Sequence, residues 1–109
     1  MKRTDANEAI DFIYRSAKPF AEAKAARIYL EEFRKSQKAI LMGQSDAGAA
    51  NAREQYAYSH PDYLALLDGL RAAVEKEEEL RWQMVAAQAR VEVWRSEEAS
   101  NRMMDRAAA

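Results

Sequence analysis

The chain has 109 residues, no cysteine and a formal net charge of −1, with 32% of its residues charged and 49% hydrophobic. That length holds one domain with just enough chain to bury a core unaided. The balance of 17 basic against 18 acidic groups excludes the basic excess of a general nucleic-acid or membrane-surface binder. The absence of cysteine excludes disulfides, thiolate catalysis and thiolate zinc sites.

Only three glycines and two prolines interrupt a sequence rich in Ala, Glu, Arg, Lys and Leu. Such a composition predicts an all-α fold. The expectation is a helical hairpin or bundle in a single domain over residues 1–109, with one very long C-terminal helix and an oligomeric assembly. Met1-Lys2-Arg3-Thr4-Asp5 leads into no apolar run, so no secretory signal is expected. No stretch approaches 18 uncharged apolar residues, so no membrane span is expected either.

The first predicted helix runs from about Asp5 to Ala17. Asp5 is placed to cap it, with Glu8 three residues on to complete a capping box. Ala6, Ala9, Ile10, Ile13, Tyr14 and Ala17 mark its apolar face. Pro19 predicts a kink or break at Ser16–Pro19, because its ring pushes Lys18 out of helical geometry.

A second helix is predicted from Pro19 to about Met42. Its stripe is Phe20, Ala23, Ala26, Leu30, Phe33, Gln37, Ile40 and Leu41. Arg27–Glu31 and Glu31–Lys35 are spaced for pairs along the helix. Gly43 is read as the residue that stops it. Gly43-Gln44-Ser45-Asp46-Ala47-Gly48 is the one loop, expected to be the first site of proteolysis. A short helix then covers about Ala49 to Tyr58.

Ser59-His60-Pro61-Asp62 reads as a helix start, with Ser59 as cap, Pro61 in the first turn and Asp62 at the positive end of the dipole. The helix that follows runs to about Arg106. Tyr63, Leu66/Leu67, Leu70, Ala73/Val74, Glu77, Leu80, Met84, Ala87, Val91, Trp94 and Glu98 recur at steps averaging 3.5, a heptad seam. Trp82, Val85, Ala86, Ala89 and Val93 form a second apolar set beside it. A helix apolar around more than half its circumference is usually covered from two sides. The Pro19–Met42 helix would cover only about half of this rod. The seam residues Leu67, Leu70, Val74, Leu80, Met84, Val91 and Trp94 are therefore the candidate oligomer interface, with a second copy as the partner.

No catalytic, metal or cofactor constellation stands out. His60, the only histidine, has no adjacent nucleophile and acid and reads as a capping or surface residue. Glu75-Lys76-Glu77-Glu78-Glu79 reads as a solvated acidic turn, since no histidine lies three positions after any glutamate. Arg27, Arg34, Lys35 and Lys38 form a modest basic patch, interleaved with Tyr29 and Phe33 as stacking candidates for single-stranded nucleic acid. Glu31 and Glu32 dilute that patch. Arg90, Arg95, Arg102 and Arg106 alternate with Glu92, Glu97, Glu98 and Asp105 and read as intrahelical pairs. Met103, Met104 and Ala107-Ala108-Ala109 read as a fraying end.

The stretch Ala52-Arg53-Glu54-Gln55-Tyr56-Ala57-Tyr58-Ser59-His60-Pro61-Asp62-Tyr63 and the later Ala87-Gln88-Ala89-Arg90-Val91-Glu92-Val93-Trp94-Arg95-Ser96 resemble short helical proteins encoded by bacteriophages and prophages. The similarity spans about residues 24 to 102. It implies a protein of the bacterial cytoplasm working beside DNA-handling enzymes. Two readings follow: a non-enzymatic interaction or assembly protein that binds itself or a phage or host protein, and an accessory protein of replication or recombination that binds single strands weakly.

Overall fold

A computed structural model describes residues 5–108, and within them the chain is helix without strand. Three helices follow in order: α1, Ala6–Gln44; α2, Ala50–Ser59; and α3, Pro61–Ala108. The reading of Met1–Thr4 as lacking a signal, and Ala109 at the fraying end, lie outside the described residues. No helix among the described residues is long and apolar enough to cross a membrane.

α1 begins as its sequence dictates. The Asp5 carboxylate accepts hydrogen bonds from the backbone N–H groups of Asn7 at 3.0 Å and Glu8 at 3.3 Å. These are two of the donors that a helix start leaves without partners. The helix then passes through Pro19 without a break, contrary to the expected division at Ser16–Pro19. The reason is the phase of the buried positions. Ala6, Ala9, Ile13, Ser16, Phe20, Ala23, Arg27 and Leu30 follow one another at alternating steps of three and four, and each is buried or half-buried. The face on either side of Pro19 is thus one face, and a break would throw half of it out of register. Pro19 itself is exposed, so water can satisfy the Arg15 carbonyl that loses its N–H partner. The same phase corrects the expected apolar face of this segment: Ile10, Tyr14 and Ala17 are exposed, and buried Ser16 takes the inward position. Ala26 and Ile40 of the expected second stripe are likewise exposed.

Gly43 does not end α1. It lies inside the helix, and no glycine has a positive φ. The last turn is closed instead by the Ser45 N–H donating to the Met42 carbonyl at 3.3 Å, a tightened turn that needs no left-handed residue. The Ser45 hydroxyl then accepts from the Ala47 N–H at 3.2 Å and shapes the link over residues 45–49.

α2 has Ala49 at its N-cap position and no side-chain cap there. The junction with α3 is carried by His60, not by Ser59 as expected. The His60 N–H donates to the Ala57 carbonyl at 3.3 Å, closing α2. Its carbonyl accepts from Leu64 N–H at 3.1 Å, and its Nδ1 accepts from Asp62 N–H at 3.0 Å, opening α3. Ser59 sits inside α2, where its hydroxyl donates back to the Gln55 carbonyl at 2.7 Å. Pro61 after His60 is the physical cause: it holds His60 extended at ψ 138°, the backbone a cap requires.

The chain divides into two compact units. One comprises Ala21–Glu78, and the other the chain up to Phe20 with α3 from Glu79 onward. In the Ala21–Glu78 unit, Leu41, Ala57 and Tyr63 form a buried cluster, one residue from each helix, with Met42 and Leu67 packed against it. Ala57 is small enough to let α2 lie close to both neighbours. Tyr58 meets Tyr63 edge-on at 5.3 Å between ring centres. Gly69 of α3 lies beneath Leu30 of α1, whose Cδ1 is 3.9 Å from where a Cβ would stand. In the other unit, Ala6, Ala9 and Ser16 of α1 and Leu80 and Ala87 of α3 are buried.

Candidate functional site

The inward positions of α3 follow the seam the sequence marks. Tyr63, Leu66, Glu77, Leu80 and Ala87 are buried, and Leu67, Leu70, Ala73, Met84 and Val91 are half-buried. Of the candidate interface residues, Leu67 belongs to the Leu41–Ala57–Tyr63 core, Leu80 is buried, and Leu70, Met84 and Val91 are half-buried. Val74 and Trp94 lie at the margin of the seam and are exposed. The seam therefore serves the chain's own core in both units. The expected shortfall in cover arose from a helix beginning at Pro19. α1 instead has 39 residues and contributes to both units.

Glu77 departs most from the sequence reading. Its charged neighbours place it in a solvated acidic turn, yet it is 1% exposed. The Arg27 guanidinium donates to both of its carboxylate oxygens: Nε to Oε2, and Nη2 to Oε1 at 3.2 Å. Through Nη1 the same guanidinium donates to Glu31 at 3.0 and 3.1 Å. Arg27 is thereby held further in its charged form, first by its bond to Glu77 and then by Glu31. The two-pronged geometry suits arginine, whose planar fork matches a carboxylate.

This pair also decides what the basic patch can offer. Arg27 faces two carboxylates inside the Ala21–Glu78 unit. Lys35 pairs with Glu32 at 3.4 Å. Lys38 donates to Glu54 at 3.1 Å and lies 4.9 Å from the centre of the Tyr58 ring. Tyr58, and next Glu54, hold the Lys38 ammonium above its ordinary value. Arg34 is exposed. Tyr29 and Phe33 stack on each other, 5.9 Å apart and 5° from parallel. Three of the four cations thus serve intrachain pairs, and Tyr29 and Phe33 stack on each other while Tyr29 stays exposed.

In the other unit an open groove runs between α1 and α3, lined by Glu8, Ala9, Asp11, Phe12, Arg15, Gln83, Ala86, Ala87 and Arg90. Arg15 and Asp11 close on each other across one helical turn at 2.8 Å. The lining brings together no nucleophile and base.

The outer face of α3 is the feature with the clearest capacity to bind. Trp82, Ala86, Ala89, Val93, Ser96, Ser100, Met103 and Ala107 recur at alternating steps of four and three, and all are exposed. At 100° per residue they centre opposite the Leu80–Met84–Ala87–Val91 face, with Ala86 at the edge where the strip meets the α1–α3 groove. Trp82 is 64% exposed, Val93 50% and Met103 70%. No charged side chain interrupts this strip over the 25 residue steps from Trp82 to Ala107, about 38 Å of helix. The charged residues of the segment, from Arg90 to Arg106, lie on its flanks or on the inward side. One turn earlier the same face carries Glu75 and Glu78, so the strip has a sharp N-terminal edge. The second apolar set of the sequence, all but Val85, is part of this strip, and the heptad phase extends it to Ala107. No protein family matches the chain, and no curated protein or solved structure is similar to it.

Proposed function

We propose that this chain is a non-enzymatic helical assembly protein of phage origin that associates with itself through α3. The observation that carries the reading is the uncharged outer strip. On the solvent side of an ordinary surface helix charged residues dominate, whereas here they are displaced to the flanks. Leaving Trp82, Val93 and Met103 in water forgoes roughly 1.5–3 kcal/mol for each large side chain that a partner could cover. Large exposed apolar side chains aligned on one uncharged face, with charged groups on its rim, are a usual mark of a protein interface. The phage context is the one implied by the resemblance of residues 24 to 102.

The non-enzymatic part is supported by what the reactive residues do. His60 spends its backbone and its Nδ1 on the α2–α3 junction, and Glu77 and Arg27 are bound to each other. Light scattering on the full chain at micromolar concentration tests the reading. A mass of twice 12.4 kDa or more is expected, and a monomer at every concentration would contradict it. An affinity for labelled single strands that weakens steeply with salt would favour the nucleic-acid accessory role instead.

A further inference from the structure

We infer that the groove between the start of α1 and the later part of α3 is filled by a second copy of this chain, with α1 of each copy lying over α3 of the other. The inference rests on the self-association reading. It carries the contact from the outer strip of α3 across its Ala86 edge onto α1.

The two units differ in how their helices are covered. In the Ala21–Glu78 unit α2 lies against both long helices, and each of the three gives one residue to the Leu41–Ala57–Tyr63 cluster. In the other unit α1 and α3 have only each other. Their seam there is built largely from small side chains, since Ala6, Ala9 and Ser16 of α1 and Ala87 of α3 are among its buried residues. Small residues bring two axes close but take little apolar area out of water. A helix pair of this kind gains a filled core when a further pair covers it, as in a four-helix bundle.

The groove has the floor such a cover needs. Ala9 and Ala87 are buried at its base, with half-buried Phe12 on the α1 side and exposed Ala86 on the α3 side. On its rims Arg15 is bound to Asp11 at 2.8 Å. The two other charged residues of the lining are Glu8 on the α1 rim and Arg90 on the α3 rim. Both are exposed, and among the described residues neither has an ion-pair partner. Because α1 and α3 run in opposite directions, these two open charges stand at the same end of the groove, on opposite sides of it.

That placement selects the pairing. A two-fold axis parallel to the helices keeps heights and exchanges rims, so α1 faces the partner's α3. Glu8 then meets the partner's Arg90, and symmetry repeats the contact. Phe12 comes over the partner's Ala86, a large side chain on a small one, as dense packing requires. A two-fold axis across the middle of the groove instead sets α3 against the partner's α3. Arg90 then meets neutral Gln83 of the partner, and Glu8 meets the partner's Arg15, which Asp11 already holds. Only the first arrangement answers both open charges. The same groove supplies an acid and a base in the places that its own copy needs them.

The absence of cysteine allows a direct test on the full chain. Chains carrying Glu8→Cys and chains carrying Arg90→Cys are refolded together and treated with a short thiol-to-thiol crosslinker. Each chain has a single thiol, so every link joins two chains. The mixture should give a covalent dimer, and neither variant alone should do so. Ala86→Trp fills the space of the partner's Phe12 ring and should weaken the dimer about tenfold without loss of helicity. Links within either variant alone, no link from the mixture, or an unchanged affinity for Ala86→Trp overturns the groove pairing and leaves self-association through the outer strip standing. A wild-type chain that stays monomeric throughout the micromolar range overturns both.

Discussion

The Arg27–Glu77 pair shows how one residue's chemistry is set by its position on a helix. Glu77 occupies the inward heptad position between Ala73 and Leu80, so the fold takes a carboxylate out of water and answers it with a guanidinium from α1. Removing one member of such a pair is costly because it strands the other, whereas replacing both by apolar groups is often neutral. Glu77→Ala should lower stability by about 2 kcal/mol, less than a fully sealed pair because Arg27 keeps some exposure and Glu31. Arg27→Met with Glu77→Met should restore most of the loss, as read from denaturant midpoints. Lys38 behaves differently with pH. Its raised value in the folded chain favours folding below the ordinary lysine value of 10.5, and that contribution disappears as pH climbs through the higher folded value. The stability gap between wild type and Lys38→Met should stay constant around neutrality and close only above pH 10.5.

At the scale of elements, helix ends and the one internal proline are the tunable points. His60→Ala should cost about 1 kcal/mol, because it removes the side-chain cap of α3 at Asp62. Ala49→Ser should gain somewhat less, by adding a cap where α2 has none. Pro19→Ala should stabilise α1 by up to about 3 kcal/mol by restoring the N–H that the Arg15 carbonyl lacks. Thermal unfolding followed by circular dichroism checks all three, and a destabilised Pro19→Ala would mean that the helix uses its proline. Helix content and the identity of α3 were legible from breaker spacing and periodicity alone. Pro19 was misleading because a local rule about proline was outweighed by burial on one continuous face. That signal was present in the unbroken three-and-four stepping from Ala6 to Leu30. His60 was a harder reading, since serine is the commoner cap and only the extended backbone before Pro61 favours histidine. Glu77 was marked twice by the sequence, once as a seam position and once as one of five charged neighbours. The periodicity was the better guide, because burial is decided by the face a residue occupies and not by its neighbours in the chain.

At the scale of the whole molecule α3 presents two faces with different roles. The Leu80–Met84–Ala87–Val91 face holds the chain's own core, and in the proposed function the Trp82–Val93–Met103 face is the one that would meet a second copy. The sequence marked both apolar sets, but it assigned assembly to the inner one, because the covering helix was cut short at Pro19. Two substitutions to the same residue separate the roles. Leu80→Asp places a carboxylate at a buried core position and should cost several kcal/mol of stability, with loss of helicity. Val93→Asp places it on the exposed strip and should leave helicity and the unfolding midpoint of the isolated chain nearly unchanged. Sedimentation equilibrium of Val93→Asp beside the wild type is the most direct measurement. A wild-type dimer and a folded Val93→Asp monomer of 12.4 kDa are expected; a Val93→Asp chain that retains the wild-type dimer and its affinity would contradict self-association through this face.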